Sequence, residues 1–257
     1  MGQPMFYFGT NLKMNQTPVE AQAFVAHIAD QLKSIVHRSI QLWFIPSFTN
    51  IVSVAEPCKS AGIWLGAQNM HWEEGGAFTG EISAAQLKAC GVNLVMLGHA
   101  ERRTLFGETD EALNKKVLSA GRHCLRIMLC VGETAFEKAH RTGPEYVARQ
   151  LKIALDGLTD PSSLIILYEP VWSVGPGGVP AEPADVTEAF ANIRHVLLTL
   201  FNEAGRSVPM LYGGSVTADN CASYAHLPDC AGVGVGRAAW QPEAFVTVLE
   251  KALSKKA

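Results

Sequence analysis

Charged residues are scarce in this sequence of 257 residues: they make up 18%, whereas hydrophobic residues make up 48%. An average soluble domain has about 25% charged residues, so this composition excludes a disordered chain and indicates a large buried core. Basic residues are not in excess, because 21 Lys and Arg are opposed by 24 Asp and Glu, which gives a net charge of −3. No basic block is present, so neither nucleic-acid binding nor attachment to an anionic membrane is expected.

The sequence also lacks paired cysteines of the kind that bind metals or exchange disulfides. It contains six cysteines, but none form a C-x-x-C pair and no histidine cluster follows them at ligand spacing. We therefore expect reduced thiols and no metal site. No charged n-region with an apolar h-region opens this sequence, and no apolar run is long enough to cross a bilayer. We therefore expect a cytoplasmic location.

Eight short apolar runs alternate with amphipathic stretches along the whole chain. Gly, Pro or polar residues bound each run, which is typical of strands buried on both faces. Eight strand–helix units in 257 residues give about 32 residues each, the length of a βα unit. The predicted strands cover residues 5–8, 42–45, 63–67, 94–97, 127–131, 164–168, 209–212 and 232–235, and the predicted helices cover residues 19–33, 111–122, 146–158, 184–204 and 243–252.

A doubly wound sheet shares this alternation, but its first βα turn should carry a G-x-G-x-x-G loop. Here that turn reads GTNLKMN at residues 9–15. No Pro/Ser-rich linker and no shift in composition divides the chain. We therefore predict an α/β fold with a single domain, a (β/α)8 barrel over residues 1–257, whose size suits the usual length of about 250 residues.

In such a barrel the functional side chains follow the carboxyl ends of the strands. Lys13 and Asn11 follow the first predicted strand, His99 follows the fourth, and Glu169 follows the sixth. The last two strands end in glycines, within YGGS at 212–215 and GVGR at 234–237. Backbone N–H groups of such loops commonly bind phosphate, so a phosphorylated ligand is predicted.

Each of these side chains also has a structural interpretation. Glu169 could cap the next helix, His99 could be a hydrogen-bonded structural residue, and Lys13 could be a solvated surface lysine. Cys130 is expected to be a buried thiol and not a nucleophile. The segment 170–180, rich in Gly and Pro, predicts a moving lid, for which a rigid loop is the alternative.

The residues after His99 are expected to have a structural role. Glu101 is predicted to form an ion pair with Arg102 or Arg103 that braces their loop.

Four segments carry a resemblance to the triosephosphate isomerases over nearly the whole chain. NLKMN at 11–15 is similar to the family's N-W-K-M-N, and LGHAERR at 97–103 to its L-G-H-S-E-R-R. YEPVW at 168–172 and YGGSV at 212–216 match the family outright. The resemblance implies a TIM barrel that isomerises a small phosphorylated ketose through an enediol(ate), without cofactor or metal.

The resemblance also implies roles for individual residues. Glu169 is the expected base and His99 the expected electrophile, because the reaction removes a weakly acidic C–H proton and develops an oxyanion. Lys13 and Asn11 are the implied electrostatic partners. The implied contacts to the phosphate come from Gly175, Ser215 and Gly236.

Several departures from the family pattern affect the expected substrate. Leu12 replaces the usual Trp, Ala100 the usual Ser, and Arg237 the second glycine after the last strand, while the lid tip reads GPGG at 175–178. Together with QNMHW at 68–72 and GVPA at 178–181, they resemble the branch that isomerises erythrulose phosphates. Arg237 is expected to bind the phosphate or to widen the pocket, unless it points outward.

Other assignments stay open. The runner-up substrate is dihydroxyacetone phosphate, a Schiff-base aldolase using Lys13 is a second enzyme class, and a non-catalytic sugar phosphate-binding barrel is a third possibility. The loop 68–80 carries the apolar residues Met70, Trp72 and Phe78 and predicts a homodimer, with Thr79 bracing the partner's site as the resemblance implies. A loop folded back on its own barrel is the alternative.

Overall fold

The computed structural model describes residues 5–33, 39–175 and 177–254. Within these ranges eight parallel strands pair in chain order and close into a barrel, because β1 pairs with both β2 and β8. The strands are β1 (Phe6–Asn11), β2 (Ile40–Ile45), β3 (Trp64–Ala67), β4 (Leu94–Leu97), β5 (Arg126–Val131), β6 (Leu164–Tyr168), β7 (Met210–Tyr212) and β8 (Cys230–Val235). The predicted (β/α)8 barrel is confirmed.

Helices surround the barrel and connect successive strands. The α-helices are α1 (Pro18–Leu32), α2 (Ile51–Ser60), α3 (Ala84–Ala89), α4 (Ala100–Phe106), α5 (Asp110–Arg122), α6 (Ala135–His140), α7 (Gly143–Ala154), α8 (Pro183–Phe201), α9 (Cys221–Ala225) and α10 (Pro242–Leu253). Three of them begin with a capping box, in which a Ser or Thr side chain and a Glu or Gln three residues later satisfy each other's backbone N–H groups. These boxes join Thr17 to Glu20, Ser83 to Gln86, and Thr134 to Glu137.

The strand predictions were accurate, and the main error lies at the end of β1. The sequence predicts that this strand stops at Phe8, whereas the structure extends it to Asn11. Residues 9–11 pair with residues 43–45 of β2, so backbone pairing continues through the polar residues Thr10 and Asn11. The strand therefore delivers Asn11 directly to the mouth of the barrel.

Five predicted helices are present, but the short ones were missed. Helix α8 ends at Phe201, before the predicted end at 204, and a one- to two-turn 3-10 segment (Asn202–Ser207) follows it. Helix α2 contains Pro57, which argues against a helix when only the sequence is read. Helices α3, α4, α6 and α9 have five to seven residues, too few to show a helical period.

The hydrophobic core has two layers. The larger one lies between the strands and the helices, and the smaller one fills the barrel with alternate residues of the strands. In the part of the chain that is described, no helix has the length and apolarity needed to span a membrane. The interior layer contains Trp43, Ile45, Leu94, Met96, Met128, Cys130, Ile165, Leu167 and Leu211.

Candidate active site

A cavity of about 360 Å³ opens at the carboxyl ends of the strands. Its floor is apolar and is formed by Trp43, Met96 and Leu167 of the barrel interior. All eight residues that were predicted for the site line this cavity. They are Asn11, Lys13, His99, Glu169, Gly175, Ser215, Gly236 and Arg237.

Glu169 is the first residue after β6, and its side chain enters the cavity although the residue is only 4% exposed. Its Oε2 accepts the backbone N–H of Ala100 at 3.3 Å, and its Oε1 lies 3.6 Å from Nε2 of His99. The carboxylate is therefore held at the mouth of the barrel. The structural interpretation required Glu169 to cap the next helical segment, but its carboxylate does not cap the 3-10 turn that follows it.

His99 is the N-cap of α4, and its ring is oriented by that helix. Its Nδ1 accepts the backbone N–H of Glu101 at 3.1 Å. A ring nitrogen that accepts a hydrogen bond carries no proton, so the neutral ring has its N–H at Nε2. This nitrogen faces the carboxylate of Glu169, and the ring therefore offers a donor on the side of that carboxylate.

Gly98 lets the chain turn from β4 into α4. Its φ of +74° lies in the left-handed region, and a Cβ there would come within 2.9 Å of Leu113 and 3.1 Å of the carbonyl oxygen of Cys130. The position requires a positive φ and leaves no room for a Cβ, and only glycine meets both requirements. This turn therefore fixes the place where the His99 ring enters the cavity.

Lys13 brings positive charge to the cavity. Its Nζ lies 2.6 Å from Oε1 of Glu101, and the Lys13 side chain is 21% exposed. The prediction that Glu101 pairs with Arg102 or Arg103 is wrong, because Glu101 turns its carboxylate toward Lys13 across the cavity. Glu101 is thus a cavity residue that the sequence analysis had treated as a loop brace.

The two arginines after Glu101 find other carboxylates. Arg102 pairs with Glu108 at 3.4 Å, and Arg103 pairs with Asp110 at 2.6 Å. Arg103 also donates to the backbone carbonyl of Gly98 at 2.7 Å. It therefore braces the turn before His99, which is the structural role expected of this loop.

Ser215 connects the loop after β7 to the first part of the segment 170–180. Its Oγ donates to the carbonyl of Ser173 at 2.6 Å, and its N–H donates to Oγ of Ser173 at 3.2 Å. Gly175 and Gly177 take φ values of +86° and +82°, the unusual dihedrals expected of this segment. Pro176, part of the noted GPGG tip, lies outside the described residues.

A buried polar cluster that the sequence analysis missed anchors the stem of the same segment. The carboxylate of Glu133 accepts the Tyr168 hydroxyl at 3.0 and 3.1 Å and the Trp172 indole N–H at 2.8 Å. Nζ of Lys138 lies 3.3 Å from the centre of the Trp172 ring, a cation–π contact. Glu133 is the second residue after the end of β5, so its position beside a strand end was the signal available in the sequence.

Cys130 has the inert character expected of it. The residue is 1% exposed, and burial together with the nearby carboxylate of Glu169 raises the pKa of its thiol well above the ordinary value. The thiol is therefore neutral and serves packing.

Two further residues bind the end of β1 and were not predicted for the site. Nε2 of Gln68 donates to Oδ1 of Asn11 at 3.1 Å and to the carbonyl of Lys13 at 2.7 Å. Nε1 of Trp240 donates to the carbonyl of Asn11 at 3.0 Å. Nothing in their sequence context marks these contacts, because each joins residues far apart in the chain.

The profile of the family described as triosephosphate isomerase matches residues 6–252. The chain belongs to the triosephosphate isomerase family. Among its relatives is a protein of Rhizobium etli named L-erythrulose-1-phosphate isomerase, 40% identical over 95% of this chain and 91% of the relative. A protein of Rhizobium rhizogenes with the same name is 37% identical over 98% and 96% of the two chains. The triosephosphate isomerase of Chlamydia felis is also 40% identical, over 97% of this chain and 98% of the relative.

Membership of the triosephosphate isomerase family confirms the resemblance stated from the four motifs. The chain is a sugar phosphate isomerase of this family. Identity alone does not distinguish between the two named activities, since it reaches 40% for each.

Proposed function

We propose that this protein moves the carbonyl of an erythrulose phosphate between its two internal carbons by proton transfer through an enediol(ate). One observation carries the chemistry: the carboxylate of Glu169 lies 3.6 Å from Nε2 of His99 on a cavity that Lys13 and Arg237 also line. A carboxylate and a neutral N–H donor at this distance can act on adjacent carbon and oxygen atoms of one small substrate.

In this proposal Glu169 removes the proton from the carbinol carbon beside the carbonyl and returns it to the former carbonyl carbon. His99 donates from Nε2 to the developing oxyanion, and a hydroxyl proton passes between the two substrate oxygens through the same ring. The charges of the carboxylate and the ring are restored at the end of each turnover. A placed base contributes about 10²–10⁴-fold, and a donor to the oxyanion contributes about 3 kcal/mol.

Two cationic side chains that line the cavity, Lys13 and Arg237, suit the phosphate and the enediolate. Lys13 and Asn11 would stabilise the developing negative charge. Gly175, Ser215 and Gly236 would bind the phosphate, and the Lys13 ammonium would also attract it. Arg237 is exposed, and no carboxylate in the described part of the chain forms an ion pair with it. Its guanidinium is therefore available to the phosphate, for which its planar donors are well suited.

The erythrulose phosphate assignment is supported by the two rhizobial relatives and by the departures at Leu12, Ala100 and Arg237. The relative in Chlamydia felis supports the triose reaction, dihydroxyacetone phosphate to glyceraldehyde 3-phosphate, as the second candidate. Measuring kcat/KM on both substrates decides between them. A preference for the triose phosphate would overturn the assignment of substrate but not that of reaction.

Deuterium incorporation from the solvent distinguishes an isomerase from a non-catalytic barrel that only binds sugar phosphates. An isomerase in D2O introduces deuterium at the carbon next to the carbonyl, whereas a binding protein leaves both substrates unlabelled.

The role of Arg237 is tested by Arg237→Gly, which restores the family's glycine. We expect a higher KM for the preferred ketose phosphate, and unchanged kinetics on both substrates would contradict the proposed contact.

We further propose that residues 1–257 form one catalytic domain and that two copies associate in the cytoplasm through the loop 68–80. The base of this loop folds on its own chain, where Met70 is 1% exposed and the His71 ring stacks on Trp72 at 4.1 Å. Its tip is exposed, including Thr79 and Phe78, which is 42% exposed. Light scattering should give twice the mass of the chain, and a monomeric mass would contradict the association.

A further inference from the structure

Trp240 joins the loop after β8 to the end of β1. It follows the 3-10 turn Arg237–Ala239, lines the cavity and donates its indole N–H to the carbonyl of Asn11 at 3.0 Å. A second bond runs in the opposite direction, because Nε2 of Gln16 donates to the carbonyl of Trp240 at 3.2 Å. The two loops are therefore held together by a reciprocal pair of hydrogen bonds.

The end of β1 needs such support because Lys13 has an unfavourable backbone conformation. Its φ is +53°, in the left-handed region that a residue with a Cβ adopts at a cost of about 1–2 kcal/mol. Lys13 donates its N–H to Oδ1 of Asn11 at 2.9 Å, and its carbonyl accepts from Gln68 at 2.7 Å. Together with the indole bond to Asn11, these contacts stabilise the turn that carries the Lys13 side chain into the cavity.

We propose that Trp240 is a positioning residue that sets Lys13 relative to the loop of Gly236 and Arg237, so that both act on the same phosphate. The proposal rests on the proposed function in taking the substrate's phosphate as the anion. Trp240 itself does not bind the reacting atoms. It acts through the backbone of Asn11, which is two residues from the ammonium-bearing Lys13.

Trp240→Phe keeps most of the ring and removes the N–H. Without it the carbonyl of Asn11 loses its indole partner, and the left-handed turn loses one of its supports. We expect the dissociation constant for inorganic phosphate, measured by titration calorimetry, to rise about three- to tenfold. The matched control is Trp64→Phe, because Trp64 begins β3 at the opposite end of the barrel and stacks on Arg126 at 4.1 Å. This control should leave phosphate binding unchanged.

A double-mutant cycle separates positioning from a merely structural effect. If Trp240 acts through Lys13, Trp240→Phe in a Lys13→Met background should change the phosphate dissociation constant by less than twofold. Equal effects in both backgrounds would overturn the proposal. Trp240→Phe alone should also make the phosphate affinity less sensitive to salt, since a displaced ammonium contributes less. An unchanged salt dependence would likewise count against it.

Kinetics give an independent readout. We expect Trp240→Phe to raise KM for the ketose phosphate more than it lowers kcat, because Glu169 and His99 stay in place. The two proposals can fail separately. If the wild-type protein binds phosphate and the double-mutant cycle is non-additive, but no ketose phosphate is isomerised, the proposed function is overturned and the role of Trp240 stands. Wild-type protein that does not bind phosphate would overturn the role of Trp240.

Discussion

Replacing Glu169 by Gln tests the proposed base with the smallest possible change of shape. The amide has the same number of heavy atoms as the carboxylate, and its remaining oxygen can still accept the N–H of Ala100, which lies 3.3 Å from Oε2. It cannot take a proton from carbon at neutral pH. The variant therefore removes the basic group and leaves the cavity otherwise intact.

The expected loss follows from the geometry of this site. A positioned general base contributes about 10²–10⁴-fold, equivalent to about 3–5.5 kcal/mol in the barrier. KM should change only a few-fold, because the phosphate contacts proposed for Ser215, Gly236 and Lys13 are untouched. Stability should not fall, since Glu169 is 4% exposed and a neutral amide is less costly to bury than a carboxylate.

The assay follows deuterium uptake by NMR in D2O, together with kcat on an erythrulose phosphate. Glu20→Gln is the matched control, because Glu20 lies in the exposed capping box of α1 and should retain full activity. A folded Glu169→Gln protein with more than about a tenth of the wild-type rate would refute the assignment of the base. Full deuterium uptake at a reduced kcat would also refute it, since proton removal would then proceed without the carboxylate.

Three other changes test the surroundings of the site. His99→Gln should lower kcat about 10²–10³-fold, the typical loss for one donor to an oxyanion; unchanged kcat would contradict this role. Gly98→Ala should lower the melting temperature more than Gly107→Ala does, because both have positive φ but a Cβ meets other atoms only at Gly98; equal shifts would count against the steric argument. Burial and the carboxylate beside its hydroxyl raise the pKa of Tyr168 above its ordinary value of 10.0, so the folded state keeps a proton that the unfolded chain loses. The free energy of unfolding should therefore hold below about pH 10 and fall above it, and Tyr168→Phe should make that decline shallower in urea titrations from about pH 8 to about pH 11.

The barrel could be predicted from the sequence because its strands are apolar on both faces and recur at a regular interval. Short runs such as 94–97 and 164–168 were located to the residue, since Gly or polar residues bound them. Strand β1 was cut short because Thr10 and Asn11 are polar, although their backbone groups pair as well as those of any other residue. Periodicity reports burial and not backbone pairing, so it fails where a strand reaches a polar site.

The cavity residues were predictable because in this architecture a residue at the carboxyl end of a strand lies at the mouth of the barrel. The pairs of residues that contact each other across the cavity were not predictable. Glu101 was assigned to the arginines next to it in the chain, whereas it pairs with Lys13, 88 positions away. Trp240 and Asn11 are separated by 229 positions. Such contacts depend on the closure of the barrel, which brings the ends of β1, β4 and β8 to one cavity. Adjacency in the chain carries no information about them.

The first turn of α4 explains why Ala100 is compatible with this chemistry although the family pattern has Ser there. The N–H of Ala100 donates to Glu169, and the N–H of Glu101 donates to Nδ1 of His99 and so places the ring proton at Nε2. The carboxylate of Glu101 pairs with Lys13. Two of these three contacts come from the backbone, so they persist whatever side chain occupies position 100. The absence of a hydroxyl at position 100 therefore leaves Glu169 and the N–H of His99 oriented. The chemical difference between this chain and the family pattern lies on the opposite side of the cavity, where Arg237 replaces a glycine.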